Sequence, residues 1–391
     1  MPTKGVALAV RAKLWVYAAS PLFNGGYTEA LSLTNPDGKR LFPDYDATKK
    51  QKALAAVRDF INYSQGKYEL YEEKKNNGTI DPDKSLYNLF QTYNKEIVWA
   101  TYFNDWGNIG GEGVDRRCTP RTEKVGFACI AVTQELVDAF FMNDGKTIQD
   151  SPLYSETGMS VAGDDTTGRT EVGTFRMWIN REPRFYVSVI FNNEWLNVVN
   201  RRVNNLQGVG EDASKSFDAP WTGYNVRKQV SLDVFPRDNK YSYQPGILYR
   251  LAEAYLGYAE ALNESQDGPN ENVYHYVNLI RERAGLPNLP QGLSKEQMRA
   301  AIQQERRVEF NCEGIRLNDL RRWKLAEKYL NHSYWGMNRN GTMASDDANN
   351  PNAYYKRTLW KPRTFTKKMY LMPIPQKQMD INVKLRQPTG Y

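Results

Sequence analysis

Histidine is nearly missing from this 391-residue chain: His275 and His332 are the only two, and cysteine is limited to Cys118, Cys129 and Cys312. None of these falls at a spacing that would gather zinc, so no metal is expected. No apolar run approaches the roughly 18 to 20 residues that a membrane-crossing helix needs. The first residues, MPTKGVALAV, lack the basic region, apolar core and small-residue cleavage site of a secretory signal. One-sided charge is also absent. The 52 basic and 45 acidic residues leave a net +7 spread along the chain, without the basic stripe or stacking motif of a nucleic-acid binder. The glycine-rich run GNIGGEG (107–113) precedes no helix of a βαβ unit, which gives nucleotide binding no support. No cofactor is expected.

What the chain has in quantity is apolar and aromatic residues, 40% and 13% respectively, enough for a large core. Much of it falls in helical register. The stretch TKGVALAVRAKLWVYAAS (3–20) puts Val6, Val10, Leu14 and Tyr17 on one face, adds alanines for close contact and stops at Pro21. ATKKQKALAAVRDFINYSQG (47–66) supplies a second helix ending at Gly66. A second pair follows much later. Leu248, Leu251, Ala252, Tyr255, Tyr258, Ala259 and Leu262 keep a 3/4 spacing, and Val273, Tyr276, Val277, Ile280 and Ala284 repeat it after DGPN. A third pair starts at Ser294 with the capping-box pattern S-K-E-Q and divides at Gly314.

Pairs of this size are like tetratricopeptide units, whose period is about 34 residues, but a long irregular stretch separates the first from the second. In it, KEIVWATYF (95–103) and RFYVSVIFN (184–192) read as strands, and TQELVDAFF (133–141) as a short helix capped by Thr133. Residues 331–368 show no helical period. The expected fold is mainly α, tetratricopeptide-like helix pairs with a large irregular loop-rich insertion containing short strands. The divisions are 1–66 for the first pair, 67–245 for the irregular ligand-binding region, and 246–391 for the C-terminal pairs and closing segment, all within one domain.

The most charged segment is ERRVEFNCEGIRLNDLRRW (305–323). Glu305 and Glu309 continue the inward stripe of Met298 and Ile302 and are four residues apart, which places them about 6 Å apart at Cβ. Paired carboxylates suit a glycoside hydrolase. Arg306, Arg307, Arg316, Arg321 and Arg322 nearby would hold both ionised, whereas a general acid needs a raised pKa. The segment is therefore expected to be two helices cross-linked by charge, with Arg316, Arg321 and Arg322 as partners and Leu317, Leu320 and Trp323 packed beneath.

Six blocks, in order, resemble the SusD/RagB family of outer-membrane nutrient-binding lipoproteins. They are KGVALAVRAKLWVYAASPLFNG (4–25), ELVDAFFMNDGKTI (135–148), NREPRFYVSVIFNNEWL (180–196), LYRLAEAYLGYAEALNES (248–265), ERRVEFNCEGIRLNDLRRW, and LMPIPQKQMDINVKLRQPTGY (371–391). The resemblance implies a SusD-like fold, no enzymatic activity, and capture of glycans, or peptides in RagB-like members, at the extracellular face of the outer membrane. It also implies a SusC-like TonB-dependent transporter as partner. The family's lipoprotein signal, lipidated cysteine and earliest helices have no counterpart here, so upstream sequence is expected to be missing or removed.

Glycan recognition needs aromatic faces against sugar C–H surfaces beside planar amide, carboxylate or guanidinium groups. TYFNDWGNIGGEGVDRR (101–117) offers Asn104, Asp105, Trp106 and Arg116; FNNEWLN (191–197) offers Asn192 and Trp195. DAPWTGYN (218–225) offers Trp221 and Tyr224, and HSYWGMN (332–338) offers Trp335. Each could instead cover core. The tryptophans at 15, 99, 178, 323 and 360 sit in helix or strand patterns and are expected in the core. Asp164 and Asp165 could offer oxygens to calcium but lack EF-hand spacing, so a solvated loop is expected there. Two other classes stay open: the hydrolase, and an interaction scaffold built of helix pairs.

Overall fold

The computed structural model describes residues 3–101, 117–120, 126–196, 200–213, 219–231 and 244–391. Helix α1 (Lys4–Ala19) starts at Thr3, whose hydroxyl accepts the Val6 N–H at 3.3 Å, and Pro21 follows its end. Its buried face is Gly5, Val6, Ala9 and Ala12; of the expected stripe Val6 is buried, while Val10 and Leu14 turn outward, 46% and 64% exposed. Small residues face inward because α2 (Thr48–Ser64) lies close, presenting Ala53, Ala56, Val57 and Phe60. A Cβ at Gly5 would stand 2.4 Å from the Tyr68 hydroxyl, so a side chain there would displace that ring.

The insertion is made of short pieces. Strands β1 (Glu73–Lys74) and β2 (Ile80–Asp81) pair and lead into α3 (Pro82–Asn88). Next come β3 (Ile97–Thr101), α4 (Gln134–Val137), α5 (Pro183–Ser188), β4 (Val189–Ile190), β5 (Trp195–Leu196), β6 (Arg201–Arg202), β7 (Asn225–Val226) and β8 (Gly246–Arg250). RFYVSVIFN is therefore mostly helix, with a strand only at its end. Pro183 at the first helical turn presets a helical φ there, and tertiary packing overrides the β-branched composition. Thr133 sits at the N-cap of α4, although its side chain makes no capping bond. Phe140, Phe175, Trp178, Phe185 and Tyr224, all nearly inaccessible, form the centre of this region's core.

Strand β3 pairs antiparallel with β8, Ile97 opposite Arg250 and Thr101 opposite Gly246, so both ends of the insertion meet. Helix α6 (Leu251–Ser265) follows β8 without a break, which places Leu248 on the strand, 45% exposed, and removes it from the helical stripe. Helix α7 (Glu271–Arg283) is capped by Asn270, and α8 (Lys295–Glu309) opens with the full capping box of Ser294 and Gln297. After Gly314 at φ 73°, α9 (Arg316–Arg322) and α10 (Ala326–Leu330) follow. Ala252, Leu256, Ala259, Val277, Ile280, Met298 and Ile302 interdigitate between α6, α7 and α8, each large aliphatic side chain contributing about 1.5–3 kcal/mol. Helix α2 packs on α6, joining the first pair to the later ones.

Where insertion and helices meet lies a buried knot of charge. Glu309 accepts from Arg250 at 2.7 Å, from Arg184 at 3.1 Å and from Arg283. Glu305 accepts from Arg184 at 2.5 Å and Arg281 at 3.2 Å. Glu96 holds Arg250 and Arg283, Glu313 holds Arg250 and Lys228, and Glu182 holds Arg184. Five carboxylates thus face four guanidiniums and one ammonium, with no net charge. The expected partners of Glu305 and Glu309 are not the observed ones. Arg322 goes to Asp319 and Glu260, Arg316 lies over the Tyr329 ring, and the α8–α9 cross-link runs from Arg306 to Asp319. Leu320 and Trp323 are packed as expected, whereas Leu317 is 43% exposed.

Candidate functional site

Trp221 stands in a turn closed by the Gly223 N–H on Pro220 O at 2.8 Å. Strand β9 (Tyr334–Gly336) runs beside it: Met337 N–H donates to Thr222 O at 2.8 Å, and a Cβ at Gly336 would lie 2.5 Å from that oxygen. Glycine therefore permits the close approach. Strand β10 (Thr358–Lys361) pairs with β9, Leu359 opposite Trp335 and Lys361 opposite Tyr334. Trp360 is the unpaired residue of the resulting bulge, and such bulges re-aim a side chain.

These elements bring rings together. Trp221 and Trp360 lie 6.4 Å apart at 43°, and Tyr334 lies 5.8 Å from Trp360. The Arg339 guanidinium sits 3.9 Å above the Trp221 ring, inside the range of a cation–π contact. Tyr334, its ring under the Arg363 guanidinium at 4.3 Å, stays out of the lining, whereas Trp221, Trp360 and Arg339 border, with Asn340 and Thr358, an open cleft of about 350 Å³. Asn338 also lines it but is occupied structurally: its amide donates to Pro351 O and Ala353 O at 2.9 and 2.8 Å. Burial pulls the Arg339 pKa below its ordinary value, although it stays within the always-charged range of arginine.

A second cleft, about 480 Å³, opens beside Trp195, which is 45% exposed on β5. Its charges are matched in pairs: Glu194 with Arg227, and Asp83 with Arg169 at 2.7 Å. Burial pushes the Glu194 carboxyl up to about 7 despite the pull of Arg227. A third cavity, about 400 Å³, is walled by Val16, Ala53, Ala261, Ile302 and Trp323 among the helices. Its carboxylates Glu260 and Glu264 are tied to Arg322 and Arg299, and its lining mixes these apolar side chains with Asn24, Lys50, Asn263 and Gln303.

Of the expected ligand residues, Trp221 lines the first cleft and Trp195 the second. Trp335 is exposed on β9 but outside both. Two others are interior, which corrects their reading as ligand contacts. Tyr224 is fully buried, accepting from Trp178 Nε1 at 3.1 Å and donating to Gln134 Oε1 at 2.8 Å. Asn192 donates to the Tyr355 hydroxyl and accepts the Asn205 N–H, both at 2.7 Å. Asn104, Asp105, Trp106 and Arg116 lie outside the described residues.

Sequence reasoning missed Trp360 and Arg339. Trp178 and Trp323 are core as expected, but Trp360 and Trp99 are 41% and 43% exposed. Asp164 and Asp165 spend their oxygens on Arg176, on the Val161, Thr167 and Thr170 N–H groups and on threonine hydroxyls.

Comparison with known proteins agrees with this architecture. The SusD family matches over residues 95–391, most of the chain, and the chain belongs to that family. It is 38% identical over 99 residues to SusD-like protein P2 of Formosa agariphila, a stretch covering 24% of this chain and 19% of that protein. SusD-like protein P25 of the same organism is 35% identical over 117 residues, 28% of this chain and 21% of the relative. Among solved structures, BT4246 in its selenomethionine form superposes with a TM-score of 0.82 at 23% identity, covering all of this chain and 73% of that one. A SusD-like protein from Bacteroides fragilis NCTC 9343 gives 0.70 at 24%, covering 100% and 65%. The fold is the SusD-like helical fold.

Proposed function

We propose that this protein captures glycans at the cell surface, without catalysis, for uptake through a SusC-like TonB-dependent outer-membrane transporter. Membership of the SusD family supports the setting. The observation that carries the reading is the open cleft in which Trp221 and Trp360 converge beside Arg339, Asn340 and Thr358. Aromatic faces there can cover sugar C–H surfaces while the polar groups at the rim bond hydroxyls. Capture without turnover also fits the state of the carboxylate pair that the sequence singles out. Glu305 and Glu309 are 1% and 3% exposed and fully engaged by arginines, so no substrate reaches them.

Titration calorimetry against a panel of oligosaccharides and peptides tests the reading. Saturable binding of a sugar that weakens at least tenfold in Trp360→Ala is the expected result. Binding confined to peptides, or sugar affinity indifferent to both Trp360→Ala and Trp221→Ala, would sink it.

A further inference from the structure

Arg339 differs from the other arginines that sit near carboxylates. Arg169 and Arg227 in the second cleft are neutralised by Asp83 and Glu194, and the arginines of the buried knot each hold one or more glutamates. Arg339 is partly buried and held flat on Trp221, yet no described residue places a carboxylate within ion-pair distance of it. It is the one ionisable side chain among the residues that line its cleft; the others are Trp221, Met337, Leu359 and Trp360, with Asn338, Asn340 and Thr358. A guanidinium in that state has its face fixed by the indole and its N–H fork unspent. Such a fork matches two oxygens of a planar or tetrahedral anion.

Building on the glycan-binding reading of this cleft, we infer that its ligand is an acidic glycan, one carrying carboxylate or sulfate groups. The anion would lie against the Arg339 edge, with neighbouring sugar faces over Trp221 and Trp360. A neutral glycan would leave the cation partly desolvated and unmatched, whereas an acidic one supplies a charge that no described residue provides. The aromatic rings supply affinity for either kind, so charge decides between them.

Two matched pairs separate the anion from the sugar skeleton. One is an oligogalacturonate and its methyl ester; the other is a sulfated galactan oligosaccharide and its desulfated form. In at least one pair the charged member should bind the wild-type protein about tenfold more tightly than its neutral counterpart at low salt. That preference should shrink as ionic strength rises and fall to under twofold in Arg339→Gln. Which pair shows it identifies carboxylate or sulfate. Equal affinity within both pairs, with binding still weakened at least tenfold in Trp360→Ala, overturns the acidic ligand while sparing glycan capture. A preference that persists in Arg339→Gln also overturns it. Failure of all four sugars to bind overturns both.

Discussion

The buried knot and the tryptophan cleft both use arginine against aromatic rings, and they use it oppositely. In the knot, Arg250 lies 4.7 Å from the Phe310 ring while its donors are spent on Glu96, Glu309 and Glu313. In the cleft, Arg339 lies on Trp221 and, among the described residues, its donors have no carboxylate. The ring contact is shared, so it does not mark function. What separates Arg250 from Arg339 is whether described carboxylates have already matched the charge.

The sharpest way to break the comparison is to unbalance the knot. Glu309→Ala leaves three guanidiniums with one fewer partner and should cost about 3–5 kcal/mol in urea unfolding, while affinity of the remaining folded protein for glycan stays within twofold. A loss below about 1 kcal/mol would mean the knot is dispensable. On the other side, Trp360→Ala should cost about 2 kcal/mol of glycan affinity and leave the melting temperature nearly unmoved, because the ring is 41% exposed.

Acid should separate the two carboxylate environments. Burial tends to raise the Glu309 carboxyl, but Arg283, Arg250 and Arg184 hold it well below the usual range, and Arg306 and Arg322 do the same for Asp319. Their stabilisation is present above the unfolded value near 4 and is lost as pH falls through the lower folded values. Glu194 behaves in reverse. Its folded value near 7 means that ionisation opposes folding, so the cost is absent below about 4.3 and grows until pH passes about 7. Unfolding free energies of Glu194→Gln should therefore lack the decline that wild type shows between these limits. The smallest effect is expected from Trp335→Ala, which lies outside both clefts and should change glycan affinity less than twofold by calorimetry.

Local signals were legible in the sequence. The Ser294 cap, the stop at Pro21 and the break at Gly314 all lie where the residues place them, because each acts within a few positions of itself. The inward placement of Glu305 and Glu309 followed from the stripe of Met298 and Ile302. Their partners did not follow. Arg184 lies 121 residues from Glu305, and nothing local distinguishes it from Arg316 or Arg321. The face of α1 was misassigned because hydrophobicity favours Val10 and Leu14, whereas a close-packed neighbour selects small residues whatever their hydropathy. Trp360 was placed in the core because a strand's alternation leaves either face open and does not reveal a bulge.

That bulge sets how recognition can change. The platform depends on a count: the stretch from Leu359 to Lys361 spans one residue more than its partner, Tyr334 to Trp335, and the surplus residue carries the indole. Deleting Leu359 would equalise the two lengths and, by the two-residue period of a strand, turn the ring toward the opposite side with no aromatic residue lost. Single-residue insertions and deletions in β10 are thus a shorter route to a new ligand preference than substitution of the rings themselves. Two proteins with identical aromatic content here could hold different sugars.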